Sequence, residues 1–210
     1  ADLCERVGAD VQQVAKGIGL DRRIGPKFLH PGPGYGGSCF PKDTAALART
    51  GRERAAPLRL VETAIEVNEA RKRAMVGRIA QAMGERVAGR RIAVLGVTFK
   101  PNTDDMREAP SLTIVPALIG AGAEVRVCDP EGRKEGEGLL PGAEWIADPY
   151  EAAEGADALV LLTEWNAFRA LDLARLGAAM RGAVLVDLRN VYEPAEARAA
   201  GFSYHSVGRA

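Results

Sequence analysis

The sequence predicts an α/β protein in which a helical central region precedes a doubly wound parallel sheet. In the N-terminal part, apolar residues recur at helical spacing between glycine- and proline-rich stretches. Further along, short runs rich in β-branched residues alternate with helical segments, a pattern typical of a parallel sheet covered by helices. The period changes after Gly89 and divides the chain into residues 1–88 and residues 89–210.

The first region is predicted to open with a helix from Ala1 to about Val14, followed by two glycines at positions 17 and 19. Four apolar residues at helical spacing support it: Leu3, Val7, Val11 and Val14. A glycine-rich loop comes next, and residues 41–49 are predicted to form a short helix after it.

A long helix is predicted from Pro57, which fits a first helical turn, to the stop signal at Gly84. Its apolar face packs in the core or forms a subunit interface, and Asn68 on it is either a buried polar contact or a surface residue. The face comprises Leu60, Val61, Ala64, Ile65, Asn68, Val76, Ile79 and Met83.

The second region is predicted to form a Rossmann-like sheet, with helices over 112–119, 149–154 and 171–180. Its predicted strands are residues 91–95, 124–128, 159–162 and 183–187. The glycine- and glutamate-rich segment 131–142 is expected to be a mobile surface loop. Ligands of such sheets bind beyond the carboxyl ends of the strands, where five polar residues fall: Lys100, Asp129, Thr163, Glu164 and Arg189.

The composition favours a folded cytoplasmic protein that binds neither nucleic acid nor membrane. Lys plus Arg and Asp plus Glu number 28 each, so no net charge attracts a polyanion. No apolar run approaches the about 18 residues of a membrane span. The three cysteines form no metal-like cluster, and no secretory signal opens the chain, which favours a reducing compartment.

The most informative motif is GPGYGGSCFPKD at residues 32–43. Its glycines let the backbone approach a ligand closely, and Cys39 follows them as a candidate nucleophile. Lys42 adds positive charge that favours a thiolate, and Asp43 adds a base. The plain alternative is a small buried cysteine beside an ordinary turn.

This motif resembles the catalytic-cysteine segment of the UDP-glucose/GDP-mannose dehydrogenase family. The resemblance extends to GIG at residues 17–19 and RRIG at residues 22–25 upstream. Downstream it includes GVTFKPNTDDMREAPS at residues 96–111 and DLRN at residues 187–190, so it covers essentially the whole chain.

The resemblance implies an NAD-dependent oxidation of a nucleotide sugar, in which the C6 alcohol becomes a carboxylate through two hydride transfers. Cys39 is then the nucleophile that holds the intermediate as a thiohemiacetal and a thioester. Asp43, one helical turn further on, positions or deprotonates the hydrolytic water. Lys42 stabilises the thiolate, contacts NAD or faces solvent.

Other residues match family positions that bind substrate or cofactor. Arg107 matches a contact to NAD, and Arg23 matches a residue that reaches the substrate of the neighbouring subunit in a homodimer built through the long helix. The remaining substrate contacts implied by the resemblance are His30, Pro31, Gly32, Pro33, Gly34, Tyr35, Gly36, Phe99, Lys100 and Arg189. Ser38 before the cysteine favours UDP-glucose, with GDP-mannose and UDP-N-acetylmannosamine as the alternatives.

One feature of the family is missing from the sequence. Members carry an N-terminal NAD-binding domain with a Gly-x-Gly-x-x-Gly turn after a strand, and no such turn occurs here. The chain is therefore expected to begin in the middle of such an enzyme. Two other interpretations stay open: a catalytically silent module for sugar-nucleotide binding and dimerisation, and a redox sensor that uses Cys39 with a second thiol.

Overall fold

The computed structural model describes residues 1–209. A helical region, in which two short helices precede two longer ones, is followed by a six-stranded sheet whose paired strands are all parallel. The first four helices are α1 (Asp2–Val7), α2 (Val11–Gly19), α3 (Cys39–Glu53) and α4 (Arg59–Ala82).

The strands of the second region alternate with helices, as the sequence predicts. The strands are β1 (Arg91–Leu95), β2 (Glu124–Cys128), β3 (Glu144–Trp145), β4 (Ala158–Leu161), β5 (Val184–Asp187) and β6 (Ser203–Ser206). The helices are α5 (Ser111–Gly120), α6 (Arg133–Leu139), α7 (Pro149–Ala153), α8 (Asn166–Arg169), α9 (Leu173–Ala179) and α10 (Pro194–Ala199).

The strand order is β3-β2-β1-β4-β5-β6, the order of a Rossmann-like doubly wound sheet. The fold class predicted from the sequence is therefore confirmed. The order reverses between β1 and β4, so a crevice opens beyond the carboxyl ends of these two strands.

Alternate residues of the strands supply two separate layers of core. On one face, Ile92 and Val94 of β1 pack with Ile79 of α4 and Ile114 of α5. On the other face, Leu95 of the same strand packs with residues of α7, α8 and α9. Helix α4 thus belongs to both regions, because its second half covers the sheet while its first half lies beside α3.

The single helix expected over residues 1–14 is wrong, because the chain breaks between α1 and α2. Gly8 ends α1 with a left-handed φ of 69°. Asp10 begins α2, since its side chain accepts a hydrogen bond from the backbone N–H of Gln12 at 2.7 Å. Apolar spacing alone cannot show this break, because both helices keep the same period.

Two further boundaries differ from the expectation. The helix expected over residues 41–49 begins two residues earlier, at Cys39, and extends to Glu53. Pro57 precedes Leu58, the N-cap of α4, instead of lying in the first turn. The face of α4 is only partly buried, since Ile79 is inaccessible while Leu60 is 89% exposed.

The segment 131–142, expected to be a loop, contains helix α6. Asp129 starts the turn into this helix by accepting hydrogen bonds from the N–H groups of Glu131 at 3.0 Å and Gly132 at 2.8 Å. Gly136 then lies so close to the Trp145 ring that no side chain fits between them. The low helix propensity of the segment is overridden by these tertiary contacts.

Candidate active site at the cysteine loop

Cys39 is the first residue of α3, and its side chain is exposed to solvent. The Ser38 hydroxyl oxygen lies 3.6 Å from its sulfur atom. No side chain caps this helix end, so its free N–H groups present partial positive charge beside the sulfur. A thiol in such a place is accessible to a substrate.

The glycines of the loop are required by close packing against the segment after β1. Gly36 contacts the backbone carbonyl of Glu108, and Gly37, with a φ of 95°, packs against the Phe99 ring. A Cβ atom at position 37 would lie 2.8 Å from that ring. The Gly37 N–H also donates to the Arg107 carbonyl at 2.8 Å. These contacts connect the cysteine loop to the carboxyl edge of the sheet.

The other end of the loop meets two charged side chains that follow adjacent strands. Arg189, after β5, donates from Nη2 to Glu164 Oε1 at 2.5 Å, and Glu164 lies just beyond the end of β4. A Cβ atom at Gly32 would be 2.7 Å from Arg189 Nη1. The structure therefore brings Gly32 and Arg189, two of the predicted site residues, into contact.

Lys42 and Asp43 form an ion pair with each other on the exposed side of α3. This contact raises the pKa of Lys42, and Coulombic attraction to Cys39 raises it further. Among residues 1–209 the hydrogen bond of the Asp43 side chain is to Lys42, and none reaches Cys39.

Arg107 is held in a similar way by Asp105, with 2.8 Å between Nη2 and Oδ2. The Asp105 carboxylate raises the pKa of Arg107 through a hydrogen bond and Coulombic attraction, and Cys39 adds a weaker effect of the same sign. Two cations, Lys42 and Arg107, therefore lie within Coulombic reach of the sulfur.

A cavity of about 700 Å³ lies between the helical region and the sheet. Its size suits a ligand of several hundred daltons. It is lined by the cysteine loop, α3, α4, the segment before α5, α5 itself and α6. The lining residues include Tyr35, Lys42, Asn68, Arg107, Leu112 and Leu139. The Tyr35 ring packs edge-on against Phe40, with 4.8 Å between centroids.

The remaining predicted site residues differ in their placement. Lys100 is exposed, with its Nζ 5.3 Å from the centroid of the Phe99 ring. His30 is exposed at the start of the loop, whereas Pro33 is buried and Pro31 is half-buried. Arg23 is 89% exposed and donates to Asp21, away from the contacts that hold the cysteine loop.

Sequence reasoning missed Arg71 and Lys72, two charged residues of α4 that contact the loop. It left Asn68 open between a buried polar contact and a surface residue, and the structure shows the buried contact. Asn68 bonds to the backbone of Tyr35, Arg71 bonds to the Gly32 carbonyl, and the buried Lys72 packs against Gly34. The available signal was polar residues at i, i+3 and i+4 along a helix whose neighbouring turns are apolar.

The sheet edge does not fit a dinucleotide. A Rossmann dinucleotide site needs an open glycine turn after β1 and a free carboxylate after β2. Here a Cβ at Gly96 would lie 2.5 Å from Thr163, so the turn is closed. Asp129 already accepts from the N–H groups of Val97 at 2.6 Å and Thr98 at 3.1 Å.

Neither a metal cluster nor a membrane-spanning helix occurs within residues 1–209. No group of three or more metal-ligating side chains converges there. None of the described helices is both long and apolar enough to cross a bilayer.

Comparison with known proteins agrees with this geometry. Two domain profiles match, the central domain of the UDP-glucose/GDP-mannose dehydrogenase family over residues 1–70 and its UDP binding domain over residues 93–194. A UDP-glucose 6-dehydrogenase of Rhizobium meliloti is 58% identical over 209 residues, which are 100% of this chain and 48% of that protein.

Solved structures give the same result. A UDP-glucose dehydrogenase from Pyrobaculum islandicum superposes with a TM-score of 0.87 at 34% identity, covering 99% of this chain and 46% of that one. An NDP-N-acetyl-D-galactosaminuronic acid dehydrogenase from Methanosarcina mazei has the same score at 30% identity, again over 99% of this chain and 46% of that one. The chain spans about half the length of the relatives it matches. It belongs to the UDP-glucose/GDP-mannose dehydrogenase family.

Proposed function

We propose that this chain is the C-terminal part of an NAD-dependent UDP-glucose 6-dehydrogenase, which oxidises UDP-glucose to UDP-glucuronate. The observation that carries the proposal is the position of Cys39. It is an exposed thiol at a helix N-terminus, and its glycine loop contacts the carboxyl edge of the sheet that matches a UDP binding domain. The 58% identity to a UDP-glucose 6-dehydrogenase supports this choice of sugar nucleotide.

Cys39 solves the central chemical problem of the reaction, which is to retain the aldehyde formed by the first oxidation. Its thiolate adds to C6, and the carbonyl oxygen takes up a proton to give a thiohemiacetal. Loss of a hydride from C6 and of the hydroxyl proton converts this adduct into a thioester. Water then adds at C6, and the C6–S bond breaks to release the carboxylate and regenerate the thiol. NAD, when bound, supplies the acceptor for both hydrides.

The charged residues near Cys39 have complementary roles in this proposal. Lys42 and Arg107 stabilise the negative sulfur and contact the cofactor. Asp43 takes a proton from the hydrolytic water, which it reaches when Lys42 turns toward another anion. The exposed ion pair between Lys42 and Asp43 is consistent with such an exchange, since exposed pairs are weak.

The sugar nucleotide occupies the space between the loop and the sheet edge. The loop supplies backbone N–H groups and the Tyr35 ring, while Arg189 and Lys100 supply positive charge for the phosphates. Phe99 supplies an apolar surface beside Gly37. The proposed contacts from this chain are His30, Pro31, Gly32, Pro33, Gly34, Tyr35, Gly36, Phe99, Lys100 and Arg189, with Arg23 provided by a second copy.

A second candidate function is sugar-nucleotide binding and dimerisation without catalysis by the chain alone. It is favoured by the closed turn at Gly96 and the occupied Asp129 carboxylate, which leave no dinucleotide site at the sheet edge. A different sugar nucleotide is the alternative substrate. The Methanosarcina mazei dehydrogenase acts on another sugar nucleotide by its name, and it superposes with the same TM-score as the UDP-glucose dehydrogenase from Pyrobaculum islandicum.

Binding and turnover distinguish these functions. Binding is measured by calorimetric titration of UDP-glucose into the 210-residue chain. Turnover is measured as NADH formation, both with this chain and with a longer protein that joins it to an NAD-binding half. We expect binding by the chain and turnover by the longer protein. Binding without turnover in both proteins would favour the module that binds without catalysis. Turnover of GDP-mannose but not of UDP-glucose would show that the proposed substrate is wrong.

A further inference from the structure

One face of helix α4 follows the path of the cysteine loop. Residues 68, 71 and 72, spaced i, i+3 and i+4, project from one side of the helix. They contact Tyr35, Gly32 and Gly34 respectively. None of these α4 residues has been given a part in the chemistry above, and all three contact the loop that carries most of the predicted sugar-nucleotide contacts.

Asn68 makes the most specific of these contacts. Its side-chain oxygen accepts from the Tyr35 N–H at 2.7 Å, and its Nδ2 donates to the Tyr35 carbonyl at 3.2 Å. One amide thus satisfies both backbone groups of one residue, as a neighbouring strand would. Asn68 is only 6% exposed, so water cannot readily replace it if the side chain is removed.

Arg71 and Lys72 fix the same stretch on either side of this pair. Arg71 Nε donates to the Gly32 carbonyl at 2.5 Å. Gly34 has a φ of 132°, and a Cβ there would lie 3.0 Å from both Asn68 Oδ1 and Lys72 Cγ. The buried Lys72 ammonium is itself held by Glu69 at 2.9 Å. The loop therefore lies against a rigid helix whose second half is anchored in the core.

The backbone just before the cysteine has contacts of its own outside this helix face. Gly37 donates to the Arg107 carbonyl at 2.8 Å and packs against Phe99, both in the segment after β1. Cys39 then begins α3. The Tyr35 backbone is thus held by α4, whereas the Gly37 backbone is held by the segment after β1. The two parts of the loop also touch each other, because the Tyr35 ring packs edge-on against Phe40.

We infer that Asn68 is a positioning residue, which sets Tyr35 and its neighbouring N–H groups for binding of the sugar nucleotide while leaving Cys39 in place. The inference rests on the proposed function for the identity of the ligand. It requires that loss of Asn68 weaken UDP-glucose binding more than it slows the chemical steps.

The test compares Asn68→Leu with Arg73→Ala in the longer protein that carries this chain. Leu keeps the branched shape of Asn but can make neither hydrogen bond, whereas Arg73 is exposed on the same helix. For Asn68→Leu we expect KM for UDP-glucose to rise about tenfold, kcat to stay within about twofold, and alkylation of Cys39 to keep its rate. Arg73→Ala should leave all three quantities unchanged.

Hydrogen exchange measured by mass spectrometry provides a readout that does not need activity. Peptides covering residues 32–38 should exchange faster in Asn68→Leu, with α5 unaffected. An unchanged KM with unchanged exchange would overturn the inference, as would a loss of kcat together with faster exchange throughout the chain. If the unaltered protein neither binds nor oxidises UDP-glucose, the proposed function fails, and the exchange of residues 32–38 alone then decides whether Asn68 positions the loop.

Discussion

Cys39 and Cys128 have the same side chain in opposite surroundings. Cys39 is exposed at the start of α3, beside Lys42 and Arg107. Cys128 is buried at the end of β2, and its Sγ donates to the Ala147 carbonyl at 3.4 Å. Burial raises the pKa of Cys128 to about 12, with further contributions from nearby carboxylates. The second thiol therefore stays protonated and inert near neutral pH.

We predict that iodoacetamide modifies Cys39 and spares Cys128 in the folded chain. The reaction requires both access and a thiolate, and Cys128 has neither. Peptide mass spectrometry after timed exposure measures both sites, and unfolding in guanidinium should make both reactive. Equal labelling of the two cysteines in the folded chain would contradict the assignment of Cys39 as the accessible thiol.

At the residue scale, the motif around Cys39 could be predicted from the sequence, because its glycines, proline and charges are adjacent in the chain. The contacts of those glycines could not. Gly36 meets Glu108 and Gly32 meets Arg189, and no local pattern encodes packing between residues so far apart in the chain. The ion pair between Lys42 and Asp43 could not be predicted either, because the sequence suggests a role at Cys39 for each residue separately.

At the scale of elements, Asp157 connects the N-terminal ends of two strands. It lies just before β4, and its Oδ2 accepts from the Arg91 N–H of β1 at 2.8 Å. Arg181 and Arg90 donate to the same carboxylate at 2.5 Å and 3.1 Å. The Arg181 guanidinium lowers the pKa of Asp157 below its usual value, assisted by the Arg91 N–H and by Arg90 and opposed by burial.

We predict that Asp157→Asn lowers the free energy of unfolding by about 2 kcal/mol at neutral pH, because charge-assisted hydrogen bonds are lost. The pKa of Asp157 is lower in the folded than in the unfolded chain, so this stabilisation is present above the unfolded value of 3.8 and is lost as pH falls through the folded value. Urea unfolding at about pH 7 and about pH 3 measures the difference, which should shrink in acid.

Glu144→Gln is the control for this experiment. Its carboxylate pairs with Arg126 at 2.8 Å but is mostly exposed, so its removal should cost at most about 1 kcal/mol. An Asp157 variant that is no less stable than the control, or whose deficit grows in acid, would contradict this account.

The long helix could be predicted from the helical spacing of its apolar residues, although the fold buries that face only in part. The four central strands could be predicted because they are well buried. Strands β3 and β6 could not, since they lie at the sheet edges; Glu144 and Ser203 are exposed polar residues within them. Helix α6 was also missed, because Gly136 and Gly138 oppose a helix that Trp145 and Asp129 stabilise from outside the segment.

At the scale of the whole molecule, the helical region exposes many apolar side chains. Leu60 and Val67 of α4 are exposed, although Met75 and Ile79 further along the same helix are buried. The same region exposes further large apolar residues, namely Leu3, Val7, Val14, Ile18, Leu20, Ile24 and Phe28. A homodimer through α4, as the family resemblance implies, would cover part of this surface.

We predict a dimer in analytical ultracentrifugation and a shift toward monomer for Val67→Glu, because a carboxylate would be buried against apolar side chains. Leu139→Glu is the control, since this leucine is also exposed but belongs to α6 of the second region. A monomeric unaltered protein, or equal effects of the two substitutions, would rule out a dimer built through α4.

The most direct test of the central claim is NADH formation from UDP-glucose by Cys39→Ala and Cys128→Ala in the longer protein that carries this chain. The account predicts that Cys39→Ala abolishes net NADH formation, because no thiolate is then present to add to the aldehyde and retain it for the second oxidation. Cys128→Ala should keep nearly the unaltered rate, since its sulfur is buried at the end of β2 and is inaccessible to a substrate. Equal rates in the two variants would contradict Cys39 as the nucleophile.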